Sequence, residues 1–156
     1  MNFFTSEFYV QLVTSFITSV AFAIIFKINK RHLLLVGIGG TITYAVYYTI
    51  LFFSSSLFVA GFVSSMITAL YAEILARVRR APTIVFVLPG IVPTVPGGSL
   101  YRGMRDLLLK NVTGAIDNFA ATLEVGIGIA GGIVTVSILF GIAVDAHNKK
   151  KRRKYQ

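Results

Sequence analysis

The chain contains no cysteine, only two histidines, and fifteen basic and six acidic residues in a length of 156. Without cysteine there are no disulfides, thiolate metal sites or cysteine nucleophiles. His32 and His147 both sit beside basic clusters, outside the apolar segments. A histidine metal centre or a Ser-His-Asp triad therefore has almost no raw material. Paired carboxylates and a catalytic nucleophile signature are missing as well. Gly126–Gly132 is glycine-rich but lies in an apolar run, without the preceding strand that a dinucleotide site requires. Catalysis, a bound metal and a cofactor are not expected. Charged residues make up 13% of the chain, against about 25% in ordinary soluble domains. The polar surface of a water-soluble globule is lacking.

What the sequence has instead is apolar length. Long apolar runs occupy Phe8–Phe26, Leu33–Phe53, Leu57–Ala76, Ile84–Tyr101 and Val125–Val144, a total of 98 of the 156 residues. Each suffices to cross a hydrocarbon core as a helix, which takes roughly 17–25 residues. The remaining residues serve the termini and connections and leave no room for a separate soluble domain. The expected fold is all-α: a polytopic membrane bundle of residues 1–147, with spans near 8–26, 33–53, 57–76, 84–101 and 122–144. Residues 148–156 form a basic cytoplasmic tail. The first run has no positively charged segment before it, so it is expected to remain a span rather than be cleaved.

Charge placement orients these spans. Lys27, Lys30 and Arg31 follow the first run, Arg77, Arg79 and Arg80 the third, and Lys149–Lys154 the last; Arg102, Arg105 and Lys110 lie between the fourth and fifth. Short loops rich in Lys and Arg stay cytoplasmic, which puts twelve basic residues inside and three outside. The N-terminus is then outside and the C-terminus inside. Between Arg80 and Lys149 the chain has to cross an even number of times, so the Pro-rich run crosses too. Five spans follow. The net charge of +9 thus reads as topology rather than nucleic-acid binding, and the tail is expected to meet anionic lipid headgroups.

Residues 102–119 form the outer connection. Met104, Leu108, Val112 and Ile116 recur every four residues, a pattern suited to an interfacial helix. A turn near Lys110–Val112, with Thr113 capping a long fifth helix, fits equally well. Asp106 and Asp117 are expected at its surface. Small residues are spaced for close helix contact, above all Gly128 with Gly132 and Ser15 with Ser19. They serve packing within one subunit or a homo-oligomer face.

The most informative stretch is Pro89–Ser99, with three prolines and three glycines in eleven residues. Proline removes a backbone donor and clashes with the preceding turn. A broken span is tolerable in lipid only where protein buries it or it lines a cavity, and broken helices in transporters form substrate sites near the midplane. Pro89, Gly90, Pro93, Thr94, Pro96, Gly97, Gly98 and Ser99 are the pathway candidates. Arg102 follows either as an interface anchor or as a fork for a substrate carboxylate, with Tyr101 beside it. Tyr44 lies mid-span, where its hydroxyl needs a partner: the pathway or another helix. Glu73, one turn before Arg77, is a helix-end ion pair or a proton carrier, and Glu124 is a second proton-coupling candidate or equally a snorkelling interface residue.

The segment Leu88–Met104 resembles the C-terminal half of the threonine/serine exporter (ThrE) family. In length and span order the chain is similar to the stand-alone small subunit of split members, the YjjB type. The resemblance implies an exporter of small polar metabolites in a bacterial cell (inner) membrane: threonine and serine in the founding group, succinate-like dicarboxylates in the split type. It implies a larger ThrE-like (YjjP-type) membrane subunit as partner, and it carries Pro89, Gly90, Pro93, Pro96, Gly97, Tyr101 and Arg102 over as candidates. Odd parity fits this, since a second five-span half joined to this one would be inverted, a recurring transporter plan. The competing expectations are a non-transporting membrane scaffold and a small homo-oligomeric channel.

Overall fold

The computed structural model describes residues 6–152, and the side chains of residues 7–143. Over these residues the chain is helical, with no strand: α1 (Ser6–Ile25), a 3₁₀ turn (Lys30–His32), α2 (Leu33–Ser54), α3 (Leu57–Arg79), α4 (Ile84–Ile91), a second 3₁₀ turn (Val92–Thr94), α5 (Gly97–Leu108) and α6 (Val112–Arg152). The side chains of the basic tail, 148–156, lie outside the described residues. Helix ends are set by local chemistry. Lys27, Ser55, Arg80 and Lys110 all take positive φ, the left-handed residue that closes a helix and returns its last carbonyls to backbone N–H groups. Ser56 opens α3 by accepting a hydrogen bond from the Val59 N–H at 3.4 Å.

α1, α2 and α3 run up and down. Tyr44 and Gln11 pair α2 with α1, and Tyr71 donates from α3 to the Leu35 carbonyl of α2 at 2.8 Å. α6 then lies parallel to α3: Gly61 meets Val125 and Ile129, Phe62 meets Gly128 and Gly132, and Arg77 lies over the Phe140 ring. The polypeptide between these helices therefore returns to the end at which α3 began. The contact is close because it lacks Cβ atoms; one added to Gly128 would stand 2.6 Å from the Phe58 carbonyl oxygen. Gly128 and Gly132 are thus used inside the chain.

The return is made by α4 and α5, bent by 50° at the break between them. α4 packs on α1, α2 and α3, whereas α5 packs on α6. Phe86 and Val87 of α4 join Ala23, Val36, Ala72 and Ala76 in an apolar cluster where α1 and α3 end and α2 and α4 begin. Among the described residues, four helices are long and apolar enough to cross a membrane, and the bent pair adds a fifth if it is one span. Val10, Val13 and Ile17 on α1 and Leu123, Ile127, Val134, Ile138 and Ile142 on α6 are exposed. Such rows would be a liability in water and suit hydrocarbon.

Two details differ from the pattern in the sequence. Helix continues through Pro89 to Ile91, although the proline leaves the Val85 carbonyl without its α-helical donor. Residues 102–119 divide between the end of α5, a turn at 109–111 and the start of α6. There Asn111 rather than Thr113 serves as cap, its Oδ1 accepting from the Gly114 N–H at 3.3 Å.

Candidate functional site: the break between α4 and α5

Pro93 has no N–H, so the Pro89 carbonyl loses its α-helical donor. The chain tightens into the 3₁₀ turn, in which the Val95 N–H reaches the Val92 carbonyl at 3.1 Å. Val95 is extended, at φ −62° and ψ 128°, the conformation favoured before a proline. Pro96 then opens α5 with no side-chain cap. The Gly97 N–H turns back to the Val95 carbonyl at 2.8 Å and that of Leu100 to the Pro96 carbonyl at 3.1 Å. The N–H groups of Gly98 and Ser99 meet no acceptor among the described residues.

One side of the break is lined with hydroxyls. Thr94 is buried and donates to the Ile91 carbonyl at 2.8 Å. Pro93 packs toward Gly40 on α2, whose missing Cβ leaves room for the Ser19 hydroxyl of α1. Ser19 is fully buried, and its Oγ has no hydrogen-bond partner. Gly90 faces the Thr68 methyl, and the Thr68 and Thr43 hydroxyls meet 2.5 Å apart between α3 and α2. Ser64 and Ser65 are buried on the same helix as Thr68. These hydroxyls sit near the midpoints of α2 and α3. Of the buried polar and charged residues described, Asp106 alone is ionisable, and it lies elsewhere, on α5 against α6.

That second cluster runs along the α5–α6 hairpin. Arg102 donates through Nε to Asn118 Oδ1 at 3.3 Å and through Nη2 to Ser99 Oγ at 3.2 Å. Asn118 in turn donates to Asp106 Oδ2 at 3.1 Å, and Arg105 reaches Asp106 Oδ1 at 3.2 Å. Asp106, expected at the surface, is instead buried, because Gly103 lets Phe119 pack close and draws the two helices together. Asp117 is exposed. The guanidinium of Arg102 is exposed and pointed by two partners, which leaves N–H groups for an anionic group.

Of the residues singled out in the sequence, Pro89, Gly90, Pro93, Thr94 and Pro96 meet at the break, and Gly97, Gly98 and Ser99 start α5. Tyr101 projects outward, 70% exposed. Tyr44 donates to Gln11 Oε1 at 2.7 Å, a bond between helices. Glu73 pairs with Arg77 at 3.8 Å near the end of α3, and Glu124 is exposed on α6. Neither acid is at the break. Thr43 and Thr68 were missed by the sequence pattern, and Ser19 was read only as a packing residue; hydroxyl residues at mid-run, opposite a proline-broken span, are the signal that marks them.

The family model for the threonine/serine exporter, ThrE, matches residues 11–139. A threonine/serine exporter of Corynebacterium glutamicum is 23% identical over 129 residues, covering 83% of this chain and 26% of that protein. The chain thus spans about a quarter of the length of that curated relative. No solved structure matches.

Proposed function

This chain belongs to the threonine/serine exporter family, and from that premise we propose that it is one half of a split exporter. It moves small polar acids, threonine and serine or succinate-like dicarboxylates, out of a bacterial cell across the inner membrane. It acts with a larger ThrE-like subunit. The observation that carries this is the bent α4–α5 pair, whose break holds the buried Thr94 and packs toward Gly40 and the Thr68 methyl, beside the buried hydroxyls of Ser19 and of the Thr43–Thr68 pair. Broken helices buy their keep in transporters by placing backbone groups beside the solute near the midplane.

In this reading the chain crosses five times, N-terminus out and C-terminus in, and α4 with α5 make one broken span. The parallel course of α3 and α6 supports it, since a re-entrant loop would leave α6 antiparallel to α3. Solute meets the neutral hydroxyls and backbone at the break, and Arg102 receives a carboxylate at the α5–α6 side. Coupling by Glu124 or Glu73 belongs to this proposal as a separate step, because neither reaches the hydroxyls.

The test is efflux from cells lacking their own threonine exporters, loaded with a threonine dipeptide and producing this chain with its partner. Efflux well above the empty-vector rate is expected. Pro93→Ala with Pro96→Ala, which restores a helix donor at each position, should abolish it at normal membrane levels. Unchanged efflux in that double variant would overturn the pathway at the break.

A further inference from the structure

The end of the bundle at which α1 and α3 finish carries a cationic surface that the exporter reading leaves unused. Both helices close there in the same way. Lys27 and Arg80 take positive φ, and the next N–H reaches back five residues, Ile28 to the Ala23 carbonyl at 2.9 Å and Ala81 to that of Ala76 at 3.0 Å. Ala23 and Ala76 belong to one apolar cluster, on which Ile28, Leu33, Ala81 and Val85 also pack. His32 of the first connection makes a T-shaped contact with Phe86 of α4, ring centroids 5.3 Å apart. The two connections are therefore fixed side by side on a common floor.

Lys27, Lys30, Arg31, Arg79 and Arg80 rise from these connections, and all five are exposed. Their side chains meet no acid among the described residues. Glu73, the one described acid near this end, is taken by Arg77 at 3.8 Å. At the other end, by contrast, Arg102 and Arg105 are engaged by Asn118, Ser99 and Asp106. The chemistry of an occupant follows from what stands beside the free charges. Ile25 is 66% exposed, Leu34 65%, Val78 70% and Ile84 59%. Each lies within four residues of one of the cations, on the side that leads into the bundle. A soluble anion makes no use of such an apolar fringe. A phospholipid does, with its phosphate at the cations and its acyl chains along the side chains below. Five unpaired cations favour a headgroup of net negative charge, since a zwitterionic one brings a cation of its own.

We propose that the connections 27–31 and 79–81 together form a binding site for an anionic phospholipid, distinct from the basic tail. The bound headgroup neutralises charges on both connections at once, and so clamps the ends of α1 and α3 to the starts of α2 and α4. The proposal goes beyond the exporter reading and does not rest on it.

The test titrates the purified full chain in detergent with phosphatidylglycerol or phosphatidylcholine and reads bound lipid by native mass spectrometry. Wild type should retain phosphatidylglycerol about ten-fold better than phosphatidylcholine. Lys27→Gly with Arg80→Gly removes two charges at left-handed positions that suit glycine, so the variant should melt no lower than wild type in phosphatidylcholine alone. It should bind phosphatidylglycerol about thirty-fold more weakly, roughly five-fold for each cation lost. Lys30→Gln with Arg31→Gln, at exposed side chains, should weaken binding to the same degree. Lys110→Gly makes the same kind of change at the other end of the bundle and should bind normally, as should a chain lacking residues 149–156. A wild type that does not distinguish the two lipids overturns the proposal, as does normal binding by both double variants. Loss of binding on removal of the tail alone also overturns it. Release of the lipid by an equal concentration of glycerol phosphate overturns it in favour of a soluble anion.

Discussion

The Thr43 and Thr68 hydroxyl oxygens lie 2.5 Å apart, each also within 2.8 Å of a carbonyl of its own helix, Gly39 and Ser64 respectively. Two hydroxyl protons serve three contacts, so one hydroxyl donates across the interface and the other to its own helix. Hydrogen bonds between membrane helices are worth about 0.6 kcal/mol on average and up to ~1.7. A double-mutant cycle with Thr43→Val and Thr68→Val should therefore give a coupling of about 1 kcal/mol. Unfolding in mixed micelles measures it; additive effects would show the contact to be energetically idle.

Ser19 is the opposite case, a buried hydroxyl with no partner. A buried unsatisfied polar group costs roughly 1–3 kcal/mol. Ser19→Ala should raise thermal stability by about 1 kcal/mol and at the same time slow export. A rise in stability with full export would mean that the hydroxyl does not meet solute.

The α3–α6 contact depends on missing Cβ atoms at Gly128 and Gly132. Gly132→Leu pushes against Phe62 and Ser65 backbone and side chain, and overpacking typically costs about 1–3 kcal/mol. Gly141→Leu, at a position with open space, should be tolerated. Protein recovered as a single peak after size exclusion compares the two, and equal recovery would contradict the packing described.

Lys110 closes α5 at φ 60°, a conformation that costs a residue with a Cβ roughly 1–2 kcal/mol and suits glycine. Lys110→Gly should raise the melting temperature, and Lys110→Val should lower it.

Asp106 accepts from Asn118 and Arg105 at the heart of the α5–α6 hairpin. Asp106→Ala leaves the Asn118 amide short of an acceptor, at a cost of about 1–3 kcal/mol; Asp106→Asn keeps one carbonyl oxygen and should lose less. Amide exchange at residues 109–118 reads the difference directly.

Much of the helical architecture was legible because apolar length acts over twenty residues at a time. The runs ending near Phe26, Phe53 and Ala76 lie within a few residues of helix ends at Ile25, Ser54 and Arg79. The break was legible too, since Pro93 and Pro96 remove donors wherever they fall. What could not be read were properties of pairs. Ser19 is an ordinary helix residue until Gly40 and Pro93 are brought beside it, and Thr43 matters only across from Thr68. Asp106 looked solvent-facing because the turn at 109–111, which folds α6 back over it, depends on one left-handed lysine and one asparagine cap. Gly126 looked like its neighbours, and only the three-dimensional course of α3 separates it from Gly128 and Gly132.

The hydroxyl layer also bears on how this bundle responds to voltage. A unit charge moved across 100 mV changes energy by about 2.3 kcal/mol, and moving helices feel that force only through the charges they carry. Around Ser19, Thr43, Thr68 and Thr94 the described buried groups are all neutral. Rearrangement of these helices about the break therefore carries no gating charge from this layer, and any voltage dependence has to come from charges outside it.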